Sequence, residues 1–330
     1  MFARSHARIS YFALACTLLF LLAACGQNTT SSTSVTASPT ASTSLDAYGT
    51  PVVMPKSAPQ RVVSLVPNIS EILGALNLQS RVVGVDYNTN YPDSMTHFPR
   101  VSNATGEYNV EQIVSLKPDL VLSYGAETKT YDTQLKQLGL NVMDLPATNL
   151  SQTFQQISLI GRVMSVQSTA DQLVQQLKQQ VSDIEKTVAG TTAPTMLLEV
   201  DDSTAGKPYV FGGTSFGDEL ATDANAHNIF HGNSSNAGYP QVTDEAIITA
   251  NPQIVLLTED PAFGGDPNLV YKRPNWGGIA AVKNHLVYRV NANIIQRAGP
   301  RIVQGLRCVA QLAHPDKFPG ALPAYCTGKV

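Results

Sequence analysis

The chain has 330 residues, of which 43% are hydrophobic and 14% are charged, and its formal net charge is −3. This length exceeds one typical domain, so two folded units are expected. The near-neutral charge and the lack of a basic stripe argue against a nucleic-acid-binding protein.

The first apolar run extends from Ile9 to Ala24 and follows Arg4 and Arg8. It is short for a transmembrane helix and has the pattern of a secretory signal peptide. The run ends in LAACG at residues 22–26, which resembles the lipobox of bacterial lipoproteins. The resemblance implies that Cys25 becomes the first mature residue and carries a lipid. The alternative is an ordinary secretory signal with an incidental cysteine.

From Gln27 to Ser44 the chain is almost entirely serine, threonine, alanine and asparagine. Such a composition cannot bury a core, so it predicts a flexible tether, which behind a lipid keeps a folded body near a membrane. The predicted organisation is a signal peptide (1–24), a lipidated tether (25–57), an N-terminal lobe (58–150), linking helices (151–190) and a C-terminal lobe (191–330).

Apolar strands alternate with helices after the tether. Pro67 and Asn68 are expected to break the first strand before a helix begins at Ser70. Because the strands are apolar throughout rather than at alternate residues, they indicate a parallel sheet covered on both faces. The predicted strands are Arg61–Val66, Val82–Val85, Leu120–Ser123 and Val142–Leu145, and the predicted helices are Ser70–Leu76 and Thr130–Leu138.

A long amphipathic helix is predicted from Ser168 to Gly190, with Ser168 or Thr169 as its N-cap. Its apolar residues recur at steps of three and four: Leu173, Val174, Leu177, Val181, Ile184 and Val188. This spacing gives one apolar stripe on an otherwise polar rod. At about 1.5 Å per residue the helix is roughly 30 Å long, enough to span a lobe.

The C-terminal part repeats the alternation of strands and helices. The predicted strands are Met196–Val200, Ile254–Leu257 and Leu286–Val290, and the predicted helices are Asp218–Ala224, Asp244–Ala250 and Arg301–Leu312. The fold class is therefore α/β, with two Rossmann-like lobes, mainly parallel sheets and one long helix between them. Such lobes bind ligands at the carboxyl ends of their strands, so the cleft between the lobes is the expected site.

An internal repeat supports two related lobes. VEQIVSLKPDLVLSYG begins at Val110 and TDEAIITANPQIVLLTED begins at Thr243. In each, a glutamate precedes a proline by seven residues, and the two prolines are 134 residues apart (252 minus 118). That distance is too long for a solenoid repeat.

Cys16 leaves with the predicted signal peptide and Cys25 carries the lipid, so Cys308 and Cys326 remain in an oxidising compartment. We expect a disulfide between them that ties the C-terminal tail to the last helix. The alternative is two unpaired thiols.

The motifs together resemble the binding proteins of ABC importers for cobalamin, ferric siderophores and haem. The motifs in question are RVVSLVPNISEILGALNLQSRVVGVDYNTNYP, VEQIVSLKPDLVLSYG, GYPQVTDEAIITANPQIVLL and QRAGPR, which span most of the chain from Pro59 to Leu312. The resemblance implies a monomeric, non-enzymatic protein outside the cytoplasm that is held to the membrane by its lipid. It would deliver its ligand to a permease and its ATPase, without a cofactor or metal of its own.

The same resemblance implies roles for particular residues. Glu111 and Glu245 match the glutamates that dock the lobes to the permease. The alternative is that each only stabilises its own helix, because an acidic side chain is favourable near a helix N-terminus. Tyr124 and Tyr239 match positions where cobalamin-binding relatives have tryptophans, and Arg297 matches a ligand-facing arginine. Further ligand-binding candidates, from loops that follow predicted strands, are Tyr209, Phe211, Tyr87, Asn88 and Tyr91.

Two departures from the cobalamin-binding relatives leave the ligand open. Tyrosines in place of tryptophans weaken the case for a corrin ring and leave iron chelates or haem as options. The cysteine that those relatives have near Ala224 is also absent here.

Two alternative functions follow from isolated motifs. GTSFG, with Ser215, matches a nucleophile elbow, and Asp260 and His285 follow in α/β-hydrolase order. However, the flanking loop residues favour Ser215 as a helix cap. His227 and His231 have the spacing of zinc ligands on a helix, which would make this a bare metal-ion binding protein, but no further ligand completes the pattern. No phosphate-binding GxxxxGK[ST] loop occurs, so the ATPase is another chain.

Overall fold

A computed structural model describes residues 52, 54–259 and 264–327. The predicted signal peptide with Cys16, the lipidation site Cys25, most of the predicted tether, and Asp260 lie outside the described residues. Within the described part, no helix combines the length and the apolar character that a membrane crossing requires.

The N-terminal lobe is built on a four-stranded parallel sheet with the order β2-β1-β3-β4. Two of its strands have the bounds that the sequence predicts, and the other two are shorter by one to three residues. The strands are β1 (Val62–Ser64), β2 (Val82–Val85), β3 (Leu120–Ser123) and β4 (Val142–Asp144), and the helices are α1 (Pro67–Ala75), α2 (Val110–Ser115) and α3 (Gly125–Gln137).

Two helices, α4 (Leu150–Val163) and α5 (Gln167–Val188), lead into the C-terminal lobe. Its strands are β5 (Thr195–Asp201), β6 (Tyr209–Val210), β7 (His227–Asn228), β8 (Ile254–Leu257) and β9 (Val287–Arg289). The order is β6-β5-β8-β9, with β7 also paired to β5, and only the β5–β6 pair is antiparallel. The helices are α6 (Phe216–Asp223), α7 (Ser235–Gly238), α8 (Asp244–Ala250), α9 (Pro267–Val270), α10 (Ala280–Lys283), α11 (Ala292–Ile295), α12 (Ile302–Ala313) and α13 (Ala324–Thr327). The predicted α/β class with mainly parallel sheets is confirmed.

Four predicted helix starts are late by one to five residues: α1 begins at Pro67 rather than Ser70, α3 at Gly125 rather than Thr130, α5 at Gln167 rather than Ser168, and α6 at Phe216 rather than Asp218. The first strand does end before Pro67, but Pro67 is itself the first residue of α1, where its missing N–H costs nothing because an N–H there has no partner inside the helix. Helix α5 begins at Gln167 and has no side-chain cap from Ser168 or Thr169. Its start is instead set by the tight turn from α4, in which the Val166 N–H donates to the carbonyl of Gly161 at 2.8 Å.

Helix α5 joins the cores of the two lobes. Its buried residues are Ala170, Val174, Leu177, Ile184 and Val188, and they belong to one apolar cluster that contains strand residues of both sheets. The helix packs closely on α4, because a Cβ on Gly161 would lie only 2.3 Å from the Ala170 Cβ. A continuous core of this kind resists hinge motion between the lobes.

The repeat in the sequence is also a repeat in structure. Asn109 caps α2 and Thr243 caps α8, each by accepting the N–H three residues on. The residues before the two prolines, Lys117 and Asn251, are both left-handed, with φ of 47° and 49°. A residue before proline avoids the right-handed helical region, so α2 ends three residues and α8 two residues before its proline.

A hydrogen bond between the residue after each repeated proline and the neighbouring strand is repeated as well. The Asp119 carboxylate accepts the backbone N–H of Arg61 at 3.0 Å, and the Gln253 side chain accepts that of Thr195 at 2.9 Å. Both residues occupy the position after the repeated proline. The two lobes therefore share the path of a helix, a turn and a central strand.

The C-terminal tail is tied to the last long helix. Cys308 in α12 and Cys326 in α13 form a disulfide. The carbonyl of Cys326 also accepts the backbone N–H of Asn291 at 2.7 Å. The tail thus holds the segment that leads into α11 and Arg297.

Candidate ligand-binding cleft

A cavity of about 360 Å³ lies between the two lobes. The N-terminal lobe lines it with residues that follow β1, β3 and β4, and the C-terminal lobe lines it with the start of α6, the end of α7 and the segment after α11. Its polar lining residues include Asn68, Tyr124, Thr148, Ser215, Tyr239, Gln296 and Arg297. The cavity therefore occupies the strand-end position that the sequence predicts for a ligand.

Tyr124 lies at the carboxyl end of β3, where it is the N-cap residue of α3. Its hydroxyl donates a hydrogen bond to the carbonyl of Ala147, which also lines the cavity. The next residue, Gly125, donates its N–H to the Asp144 carboxylate. The ring is thus held between two strand ends of its own lobe and remains half-buried at the cavity wall.

Tyr239 is the matching aromatic residue on the C-terminal lobe. Its ring packs against Phe211 with centroids 5.4 Å apart and planes tilted by 49°. Phe211 itself is fully buried and does not line the cavity, so the structure contradicts its predicted place at the ligand. Phe211 is enclosed because α6 approaches it closely, since a Cβ on Gly217 would lie 2.3 Å from its ring.

The backbone around Tyr239 is constrained. Ala237 and Thr214 line the cavity with positive φ angles of 56° and 74°. Left-handed backbone is unfavourable for non-glycine residues and most of all for a β-branched threonine. Such strain is concentrated at binding sites in many proteins, which is a second reason to place the site here.

Arg297 reaches across the cleft to the N-terminal lobe. It donates to the Asn90 side chain at 2.8 Å, to the Glu71 carboxylate at 3.3 Å and to the carbonyl of Asn88 at 3.3 Å. Burial and the neighbouring Arg301 lower the pKa of Arg297, and Glu71 opposes that effect. Arg297 is therefore both a cavity residue and a contact between the lobes.

The remaining predicted ligand residues lie outside this cavity. Tyr209 is in β6, where it pairs with Asp201. Tyr87 is 51% exposed, and Asn88 contributes its carbonyl to Arg297 rather than lining the wall. Tyr91 lies under the Arg301 guanidinium at 4.0 Å and lines a separate cavity of about 320 Å³. The structure thus brings together Tyr124, Tyr239 and Arg297 only.

Several cavity residues were not among the predicted ligand-binding residues: Asn68, Thr148, Thr214, Ser215, Ala237 and Gln296. A signal for two of them was present. Asn68 follows β1 and Thr148 follows β4, so the strand-end rule applied to every strand would have found both. The others come from turns whose path is set by tertiary packing.

Glu111 and Glu245 occupy equivalent positions, each the second residue of a short helix, and both are exposed. Neither is the N-cap residue, because Asn109 and Thr243 fill that role. The backbone N–H of Glu245 and the Thr243 side chain lower the pKa of Glu245. Each lobe thus presents an exposed carboxylate at the equivalent position.

The geometry does not support the two alternative functions. Ser215 donates to the carbonyl of Gly212 at 2.6 Å and accepts the N–H of Asp218 at 3.3 Å, so it caps α6. His285, the histidine of the possible hydrolase order, packs against the Tyr271 ring. His227 lies in β7 and not on a helix, and His231 pairs with Asp218 at 2.9 Å. Among the described residues, no group of three histidine, cysteine or acidic side chains could hold a metal ion.

Comparison with known proteins agrees with this architecture. The profile of a family described as periplasmic binding protein matches residues 62–294. The chain belongs to this family. The match confirms the family resemblance that the sequence motifs indicate.

Individual members of the periplasmic binding protein family are similar along most of the chain. An ABC transporter substrate-binding lipoprotein of Bacillus subtilis, YvrC, is 33% identical over 80% of this chain and 82% of its own. A cobalamin-binding protein of Halobacterium salinarum is 27% identical over 82% of this chain and 73% of its own. The crystal structure of a possible iron-binding periplasmic protein from Staphylococcus epidermidis superposes with a TM-score of 0.68 at 25% identity, over 78% of this chain and 99% of that one.

Proposed function

We propose that the protein is the extracytoplasmic substrate-binding component of an ABC importer. It captures a cobalamin or an iron chelate, either a siderophore complex or haem, in the cleft and delivers it to a permease and its ATPase. The observation that carries the proposal is the cavity between the lobes, to which each lobe contributes one tyrosine, Tyr124 after β3 and Tyr239 after α7. The relatives named above, which include a substrate-binding lipoprotein and a cobalamin-binding protein, support the ligand class.

In this proposal the protein binds its ligand without catalysing a reaction. The cleft lining contains aromatic rings, amides, hydroxyls and one guanidinium, which suit a large planar or chelated ligand. Ser215, the best nucleophile candidate in the sequence, is occupied in capping α6. We therefore propose a non-enzymatic protein, and the family resemblance described above leads us to expect a monomer.

Delivery in this proposal depends on Glu111 and Glu245. The two carboxylates are exposed, lie on structurally equivalent helices and are carried by different lobes. Exposed charges of this kind add little to stability but orient an encounter with a partner of opposite charge. A lipid on Cys25 would hold the protein beside the permease on the outer face of the cytoplasmic membrane.

The test is equilibrium dialysis of the protein from Thr43 onward, the compact unit that carries both lobes, against cyanocobalamin, haem and ferric siderophores. We expect one of these ligands to bind with a Kd below about 1 μM, which corresponds to about −8 kcal/mol. Tyr124→Ala and Tyr239→Ala should each weaken that binding by about 5- to 150-fold, since each loses about 1–3 kcal/mol of buried contact. Tyr209→Ala, a half-buried tyrosine outside the cavity, is the matched control. Failure of the whole panel to bind would refute the proposed ligand class.

A further inference from the structure

A second cavity, of about 320 Å³, lies where α1, α5 and the start of α12 meet. Tyr91 and Pro92 complete its wall. It shares no lining residue with the ligand-binding cleft, and the function proposed above makes no use of it. Its volume equals that of about ten water molecules at about 30 Å³ each, so it has room for a small organic molecule.

Arg301 supplies the positive charge of this cavity, and it is only 7% exposed. Its Nε and Nη2 donate to the two oxygens of Glu71 at 2.9 Å and 2.6 Å. This bidentate pair uses one edge of the planar guanidinium and leaves the Nη1–Nη2 edge, which has the same geometric match to a second carboxylate. Nη1 donates to no residue in the part of the chain that the structure describes. A buried guanidinium therefore offers one unused edge at the cavity.

The guanidinium of Arg301 is also held in a fixed plane. The ring of Tyr91 stacks on it, with the guanidinium carbon 4.0 Å from the ring centroid. The next residue, Pro92, packs so closely on α1 that a Cβ on Gly74 would lie 2.6 Å from its Cγ. The unused edge is thus positioned before any ligand arrives, which lowers the ordering cost of binding.

The charged groups near this edge do not cancel. Glu71 also accepts a hydrogen bond from Arg297 at 3.3 Å, so two guanidiniums share one carboxylate. The other nearby carboxyl, Asp86, interacts electrostatically with Arg297 and with Arg100. Three guanidiniums therefore stand against two carboxyls in this group. An anion on the unused edge of Arg301 would balance the remaining positive charge.

The rest of the wall combines apolar residues with amides. Leu177, Pro92 and Pro300 supply apolar contact area, and Gln180 and Gln304 supply side-chain amides. A fully hydrated oxyanion such as phosphate would lose water against the apolar residues without compensation. A carboxylate attached to an apolar body can place its charge on the guanidinium and its body against these residues.

We propose that this cavity is a second ligand-binding site, which takes a small organic carboxylate with an apolar body. The carboxylate pairs with the Nη1–Nη2 edge of Arg301, and the body packs against Leu177, Pro92 and Pro300. The site is separate from the cleft, so the proposal stands whether or not the cleft binds a cobalamin or an iron chelate. Because α1, α5 and α12 all line it, its ligand stabilises the contact of both lobes with the helix between them.

The test is isothermal titration calorimetry of the purified full-length protein in detergent, with protein-free micelles as the reference. Benzoate is the probe. Benzamide has nearly the same shape without the charge, and inorganic phosphate has the charge without the apolar body. We expect benzoate to bind with a Kd below about 1 mM, which is within reach of so small a ligand. Benzamide and phosphate should each bind at least about tenfold more weakly.

Two substitutions test the assignment to this cavity. Arg301→Lys keeps a positive charge beside Glu71 but lacks the planar pair of donors, so it should weaken benzoate binding at least about tenfold. Ala75→Trp leaves the ion pair intact and fills the cavity from the exposed last residue of α1, so it should abolish binding. Ala250→Trp, at the exposed last residue of α8, lines neither cavity and is the matched control.

Thermal unfolding gives an independent measurement that does not depend on Arg301→Lys folding correctly. Benzoate at about ten times its Kd should raise the Tm of the wild type and of Ala250→Trp by about 2 °C and leave that of Ala75→Trp unchanged. Tyr239→Ala, which alters the cleft, should keep the wild-type affinity for benzoate within about twofold.

Four results would overturn the proposal. They are no saturable binding of benzoate up to about 10 mM, equal affinities for benzoate and benzamide, tighter binding of phosphate than of benzoate, and benzoate binding that survives in Ala75→Trp. Binding that survives there but is lost in Tyr239→Ala would place the carboxylate in the cleft instead.

Discussion

Glu219 should make the stability of this protein depend on pH. Its carboxylate accepts the backbone N–H of Leu150 at 2.8 Å, which joins α6 of the C-terminal lobe to the first turn of α4. Burial, together with the charge of Asp223, raises the pKa of Glu219 from 4.5 to about 7. Burial and the nearby Glu185 of α5 raise the pKa of Asp223 to about 6. No ion pair among the described residues involves any of these three carboxylates.

The direction of the effect follows from the raised pKa. The folded state holds the Glu219 proton up to about pH 7, whereas the unfolded chain releases it near pH 4.5. Stability contributed by the protonated form is therefore lost as pH rises between these values and stays low above them. The full shift corresponds to about 3.4 kcal/mol, and solvent screening of a half-buried side chain reduces this to about 1–2 kcal/mol.

Glu219→Gln mimics the protonated carboxyl and can still accept the Leu150 N–H. We expect the variant to be about 1–2 kcal/mol more stable than the wild type at pH 8 and equally stable near pH 4.5. Urea unfolding at several pH values measures this, with the fluorescence of the fully buried Trp276 as the signal. Glu111→Gln, an exposed glutamate on the other lobe, is the matched control. If the free energy of unfolding of Glu219→Gln depended on pH as that of the wild type does, Glu219 would not be the source of the pH dependence.

Two further predictions test the delivery surface and the helix that joins the lobes. Glu111→Arg combined with Glu245→Arg should abolish ligand uptake by cells and leave ligand affinity in dialysis unchanged, because both carboxylates lie outside the cleft; a lost affinity would contradict the docking assignment. Gly161→Val should lower the free energy of unfolding by about 1–3 kcal/mol, because its side chain would collide with Ala170 across the α4–α5 contact. Gly277→Val, at a glycine with no atom within 4 Å of its Cβ position and no positive φ, is the matched control for the steric cost.

The core elements were predictable from the sequence because their signals are local. β2, β3, β8 and α8 have the predicted bounds, since each strand is a short apolar run and α8 lies between a threonine cap and an Asn-Pro stop. The prediction that Tyr124 stands at a strand end needed only the end of β3 and the rule for parallel sheets.

Predictions for loop residues were weaker because burial there depends on what packs above them. Phe211 follows a strand, as Tyr124 does, yet α6 approaches so closely at Gly217 that the ring is enclosed and only Tyr239 reaches the cleft. Nothing adjacent to Phe211 in the sequence indicates that approach.

The sequence by itself determined the α/β class, the internal repeat, the amphipathic helix between the lobes and the family, because each depends on residue types at short, regular spacing. Only the tertiary structure decided the charge of the cleft. Glu71 meets Arg297 and Arg301 across 226 and 230 residues of chain, and no local pattern specifies that meeting. It follows from the orientation that α5 and the shared core impose on the two lobes, and a pairing of buried charges exists only once that orientation is set.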